Sequence, residues 1–335
     1  MLYTEANRLR FCSDSKQGHY ESYFLRANHP SKKQAFWLRY TIFLSSDKKI
    51  ELAEIWGAFF NNDDVIAIQQ DIPLSECNLT DSQNKIQLRN NVLKFALMGK
   101  GSATGEVTDE SRSIGWHLNY SGETNVLPLL PAAYYQRSLP KAKVLVGIPQ
   151  AFFDGQLNIN GETIIINNWQ GSENHNWGSK HTDEYAWGQV SGFDGKPNSF
   201  LECSTARIKI GPLWSPKMSL AVLRIDQQEY RFNGLWQAMK NQGSYRYFDW
   251  SMQCKNNNFT LDMNMNSQSH DMAGLNYRNP PGGSHTCLNS KVARCEVILK
   301  KNGKVLHHLQ TQHRAAFEIL TDDTRHHIRI QNGAQ

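Results

Sequence analysis

A chain that places Phe36, Leu38, Tyr40, Ile42 and Leu44 at every second position has little freedom except to be a β-strand. The segment is QAFWLRYTIFL, Gln34 to Leu44, and Trp37, Arg39, Thr41 and Phe43 take its other face. Asp47-Lys48-Lys49 then makes a polar turn, and IELAEIWGAFF follows from Ile50 to Phe60. Two such runs around a short polar segment read as a β-hairpin.

The same texture continues through Val92 to Met98, Ile114 to Tyr120, Lys143 to Ile148 and Glu162 to Asn167. Beyond residue 200 it returns in Met218 to Asp226, Tyr230 to Asn233, Tyr245 to Cys254, Phe259 to Met265, Val292 to Lys300 and Arg314 to Leu320. Gly, Asn, Pro and Asp punctuate these runs, and no long helical pattern competes with them. The expected class is all-β. With 335 residues the candidate strands fill two units more comfortably than one. The Gly-, Pro- and Asn-rich segment Gly192 to Ser199 suggests a boundary near 195, giving units 1–195 and 196–335. Gly101 to Gly105 and Pro280 to Gly283 read as turns, and Pro128 to Tyr135 as a crossing loop or part of a cavity lid.

Charge excludes little. Lys and Arg total 36 against 31 Asp and Glu, a net +5, and no basic run marks a nucleic-acid surface. No stretch approaches 18 apolar residues, so no integral membrane helix is expected. Without an apolar leader at its start the chain reads as cytoplasmic. Six scattered cysteines read as free thiols. No dinucleotide loop, P-loop or nucleophile elbow is present.

Among candidate residues, Glu54 stands out because it shares a strand face with Ile50, Leu52, Trp56 and Ala58. There it is either a buried or pocket-facing carboxyl, pushed toward its neutral form and able to act as an acid, or a residue on the solvent face of an edge, or one paired with Arg39 across the hairpin. The densest polar and aromatic segment is NWQGSENHNWGSKHTDEYAWGQ, Asn168 to Gln189. In it His175 is a titratable candidate, Asn176 and Tyr185 can orient an oxygen, and Trp177 and Trp187 can line a ligand. It reads as a loop at a barrel mouth. Glu173, His175 and His181 are enough for one metal-site proposal but match no zinc spacing, so no metal is assigned. Asp249, in a run with Tyr245, Tyr247 and Ser251, is a third acid if it faces a pocket.

AFWLRYTIF at Ala35 to Phe43, ELAEIWGAFF at Glu51 to Phe60 and SENHNWG…EYAWGQVSGF at Ser172 to Phe193 together resemble the tocopherol cyclase-like and carotenoid hydratase-like lipocalin superfamily, including its AttH-type members. The resemblance implies two lipocalin-like antiparallel β-barrels, or strongly curved sheets, packed in tandem. It also implies a pocket for a hydrophobic isoprenoid- or polyketide-like molecule, hydrated, cyclised or isomerised without a cofactor. Glu54, His175 and Asp249 are then the catalytic candidates. Trp56, Asn176, Trp177, Tyr185 and Trp187 are the substrate-binding ones. A carrier of a lipid or pigment without turnover, and a structural or interaction protein, are the competing expectations.

Overall fold

The structure, a computed structural model, describes residues 1–79 and 85–331. It is built mostly from antiparallel β-sheet, the short strand Ile330–Gln331 pairing parallel to Ala273–Arg278. The first sheet contains β1 (His19–Asn28), β2 (Gln34–Leu44), β3 (Glu51–Asn61), β4 (Asp64–Pro73), β5 (Cys77–Asn78), β6 (Lys85–Leu88), β7 (Asn91–Leu97), β8 (Lys100–Thr108), β9 (Ser113–Gly122), β10 (Leu127–Pro128), β11 (Ala142–Ile159) and β12 (Glu162–Gly178). The second contains β13 (Glu184–Phe193) and β14 (Lys196–Arg207), then, after a small hairpin of β15 (Lys209–Ile210) and β16 (Leu213–Trp214), β17 (Met218–Ile225) and β18 (Gln228–Phe232). It continues through β19 (Gln242–Arg246), β20 (Asp249–Asn256), β21 (Phe259–Asn266), β22 (Ala273–Arg278), β23 (Ser284–Lys301), β24 (Lys304–Thr321) and β25 (Ile330–Gln331).

The order along the first sheet is β4-β3-β2-β1-β12-β11-β9-β8-β7-β6-β5. Along the second it is β18-β17-β14-β13-β24-β23-β21-β20-β19. Each begins as a four-strand meander whose first strand pairs with a long late strand of its sheet, β1 with β12 and β13 with β24. The duplication is thus in the topology, with no repeat readable in the residues. The first sheet is a nearly closed barrel, its edge strand β4 coming back against β8. The second is a curved open sheet rather than an equally closed barrel. A short helix, α1 (Tyr3–Ala6), packs on β11, and α2 (Leu235–Lys240) covers β17 and β20. The sheets change over at residues 179–183, and the Gly192 to Ser199 segment forms the β13–β14 turn.

Packing explains the composition of β2, which is buried on both faces from Ala35 to Leu44. Phe36, Leu38 and Tyr40 enter the barrel with Trp116, Tyr120, Phe153 and Trp169. Trp37 faces the second sheet, with Trp56, Phe60, Trp187, Leu275 and Tyr277. The barrel is filled by side chains, as small barrels are.

Three local expectations are corrected. Asn168 to Gln189 is not a mouth loop but the end of β12, a five-residue connection and the start of β13, and Glu173, Asn174, His175 and Gln189 are hydrogen-bonded inside the protein. Tyr245 to Cys254 is not one strand: β19 and β20 form a hairpin with Tyr247 and Phe248 at the turn, and Arg246 opposite Asp249. Gly101 to Gly105 is not a turn but part of β8. There the glycines make room for rings, since a Cβ on Gly101 would lie 2.3 Å from the Tyr120 ring.

Candidate functional site

The two sheets meet through the outer face of β1 to β4 and β12. Along β2 and β3 the register pairs Thr41 with Glu54 and Arg39 with Trp56. On β3 and β4 it pairs Glu54 with Asp71. Strand alternation therefore aims Arg39, Glu54, Trp56 and Asp71 at the second sheet. That sheet answers with Tyr277 and Arg278 from β22, Tyr185 and Trp187 from β13, Lys291 from β23 and Glu318 from β24.

Glu54 is 4% exposed. One of its oxygens accepts from Arg278 Nη1, and the other from Trp56 Nε1 at 3.2 Å. Arg278 also bridges to Asp71, at 2.9 Å from Nη1 and 2.6 Å from Nη2. The Trp56 ring meets Tyr277 edge-on at 6.0 Å, and the Arg39 guanidinium lies over Tyr277 at 4.3 Å. Deeper in, the Lys291 ammonium donates to Asn289 at 2.6 Å and Glu318 at 2.8 Å. It sits 5.4 Å from the Trp37 ring and 5.5 Å from that of Trp187. Beyond it, Glu202 accepts from Trp187 Nε1 at 2.7 Å and Gln189 Nε2 at 2.8 Å. Gln189 in turn accepts from Arg26 Nε at 2.6 Å, tying β1 to β13.

Burial dominates the electrostatics here. It pushes the Glu54 carboxyl up, against the downward pull of Arg278 and Arg39. It carries Glu202 to about 7, with Trp187, Gln189 and Arg26 opposing. It lowers Lys291, against the attraction of Glu318. A carboxyl that gains little from losing its proton near neutral pH can give that proton to a substrate.

A groove of about 420 Å³ reaches this cluster from outside. Phe43, Ser45, Asn276, Arg278, Asn279 and Pro280 are among its lining residues. Arg278 thus belongs both to the groove wall and to the Glu54 ion pair.

The sequence candidates divide between locations. Glu54, Trp56, Tyr185 and Trp187 come together between the sheets. The pairing of Glu54 is with Arg278, not with Arg39 across the hairpin, because its carboxyl points away from the sheet toward β22. His175 lies inside the barrel, fully buried, with Nδ1 2.8 Å from the Ala6 carbonyl and Nε2 2.9 Å from Glu21. Burial lowers its pKa, while two acceptors on its two nitrogens favour protonation. Trp177 packs with Ala6 and Leu145, with Arg10 3.9 Å above its ring. Asn176 is half-buried with its side-chain oxygen unpartnered. Asp249 is exposed at the start of β20.

Glu173, His175 and His181 do not converge. Glu173 accepts from Tyr3 at 2.6 Å and Tyr120 at 2.6 Å, and His181 stacks on Tyr20 at 3.9 Å in the sheet interface. Among the described residues, Asp63, His270 and Asp271 do cluster. Lys33 Nζ already occupies that cluster, 2.9 Å from Asp63 and 2.8 Å from Asp271. Sequence reasoning missed Asp71, Tyr277, Arg278, Lys291, Glu202 and Glu318. An unexplained charge within a strand signals all of them but Tyr277. No helix among the described residues is long and apolar enough to cross a membrane.

Two antiparallel sheets of like topology, with a buried carboxyl-arginine-tryptophan cluster between them, define a class of double-sheet β-protein. Residues 133–320 match the tocopherol cyclase-like family model. That is more than half of the chain, which belongs to this family. An uncharacterized protein of Mycobacterium tuberculosis is 24% identical over 207 residues, 61% of each chain. The chain thus spans about 61% of the length of the curated relatives it matches. Kievitone hydratase from Nectria haematococca has a similar fold, with a TM-score of 0.62, 10% identity, and coverage of 96% of this chain and 95% of that one. A protein assigned as AttH from Nitrosomonas europaea gives 0.58 at 12% identity, covering 96% and 98%. The protein CghA, in complex with Sch210972, gives 0.57 at 9%, covering 91% and 89%.

Proposed function

We propose that the chain is a cofactor-independent hydratase, cyclase or isomerase acting on a hydrophobic small molecule held between the two sheets. The carrying observation is Glu54: a buried carboxyl, walled by Trp56, reached from a groove through Arg278. In this reading Arg278 swings toward the groove as the substrate enters and releases the carboxyl. Glu54, freed of its cation and with burial favouring its neutral form, takes up a proton and adds it to one alkene carbon. The neighbouring carbon becomes cationic, facing the rings of Trp56, Trp187 and Tyr277. Water or an internal hydroxyl adds there, and its proton returns to the Glu54 carboxylate. The family and the similarity in fold to a hydratase support this class of reaction. Asp249 and His175 have no part in it: one is exposed on a hairpin, the other is enclosed in the barrel.

Small molecules extracted from the purified protein would be identified by mass spectrometry, and the recovered alkene offered to wild type and Glu54→Gln. Product from the wild type and at least a hundredfold loss in the variant are expected. Equal turnover by both would remove Glu54 from the mechanism. Recovery of a compound that neither protein converts would instead identify a carrier.

A further inference from the structure

Two buried N–H groups on β2 have nothing to donate to: Arg39 Nε and Trp37 Nε1. Their residues are 4% and 2% exposed. They occupy consecutive positions on the face turned toward the second sheet. Arg39 Nη2 donates to Ser22 Oγ at 2.8 Å, and the guanidinium covers the Tyr277 ring. The carboxylates nearby are engaged elsewhere. Glu54 and Asp71 belong to Arg278, and Glu318 to Lys291. Among the described residues Arg39 has no ion-pair partner.

A buried N–H without an acceptor is destabilising, and although Glu54 and Glu318 offset the burial of the Arg39 charge from a distance, neither accepts its Nε–H. Folding alone gives no reason to hold both on one wall. An acceptor brought by the ligand does. It would be desolvated on arrival and would meet a positive charge already in place.

We propose that the ligand of this interface carries an anionic oxygen, a carboxylate or enolate, on a hydrophobic body, and that Arg39 Nε–H and Trp37 Nε1–H bind that oxygen. This deepens the function proposed above and rests on it. The body then runs along Trp56 toward Phe43 and the groove. Glu54 lies one same-face step from Arg39 in that direction, about 7 Å along the strand. The site of protonation is therefore several bonds from the anionic head. Arg39 and Trp37 are specificity-determining residues and take no proton in the reaction.

The test uses two polyenes that differ only in the head, all-trans-retinoic acid and retinol, titrated against the full chain by quenching of tryptophan fluorescence. Wild type is expected to bind the acid at least tenfold more tightly than the alcohol. Arg39→Lys keeps the charge and removes the Nε–H, and Trp37→Phe removes only the indole N–H side of the ring. Each should reduce the preference toward unity while the retinol Kd moves less than threefold. Thermal melting of both variants checks folding, and Trp37→Phe carries the test if Arg39→Lys does not fold. Equal binding of the two polyenes by wild type, or a preference that survives in every folded variant, overturns the anionic-head inference while leaving the proposed function in place. Saturable binding of neither polyene overturns both the inference and the function it rests on.

Discussion

Glu202 makes the protein's stability fall as the solution is made more alkaline. Its carboxyl is fully buried between the sheets and held at about 7, against an ordinary 4.5. Between these two values the native chain keeps a proton that the unfolded chain gives up. Stability contributed by this group is therefore complete below pH 4.5, declines through the interval and is gone above pH 7. The full displacement corresponds to about 3 kcal/mol, of which about 2–3 kcal/mol falls between pH 5 and pH 8. Other groups titrate in this range, so the measurement is a difference. Urea unfolding of wild type and Glu202→Gln, followed by tryptophan fluorescence from pH 5 to 8, gives two stability curves. Glutamine cannot ionise. Its amide opposes one of the two donors, Trp187 Nε1 or Gln189 Nε2, and that cost is the same at every pH. The wild type should lose about 2–3 kcal/mol relative to the variant across the range, with the loss levelling off above pH 7. A difference constant to within about 0.5 kcal/mol would show that Arg26 and the two N–H donors outweigh desolvation, and the reasoning would be refuted.

Replacing Arg278 by Leu removes the cation from Glu54, so the carboxyl pKa should rise further, and the alkaline limb of the turnover-pH profile should move to higher pH. An unmoved limb would mean that another group supplies the proton. Tyr3→Phe deletes a hydroxyl that donates to Glu173 and accepts the Ala96 N–H at 2.8 Å, which should cost about 1–3 kcal/mol in urea unfolding. Trp169→Leu empties part of the barrel and should cost about 3–5 kcal/mol on the same assay, with turnover at 20 °C kept if the reaction occurs between the sheets.

The strands were legible where one physical rule governed them. β2 and β3 alternate because each strand has two faces, and the aromatic content of both faces of β2 follows from their double burial. Glu54 was legible for the same reason, as a carboxyl in an apolar row. Its partner was not. Arg278 lies 224 positions away, and the contact exists only because the second sheet closes on the first. His175 drew attention by its aromatic company, yet the groups that hold it are Glu21 and the carbonyl of Ala6. Ala6 belongs to a four-residue helix too short to show a period. The glycines of β8 resemble a turn in sequence because the rings they accommodate, Tyr120 and Trp116, lie on the neighbouring strand.

The unevenness of polar satisfaction tells the barrel apart from the interface. Inside the barrel, Glu173 has two phenols and Asn7, and His175 has a carbonyl and a carboxylate. Its lumen is filled by Phe36, Tyr120, Phe153 and Trp169, and α1 presses Tyr3 onto Glu173. The Asn7 side-chain oxygen is left without a partner there. Between the sheets, two N–H groups of β2 lack acceptors, one arginine lacks a carboxylate, and a groove ends at the arginine that covers Glu54. In the function proposed above, donors fixed before the substrate arrives need not reorganise when charge develops. The second sheet can stay open because one face makes its own core with Trp250, Met252, Met263 and Phe317, while Trp187, Leu275 and Tyr277 on the other pack against the barrel.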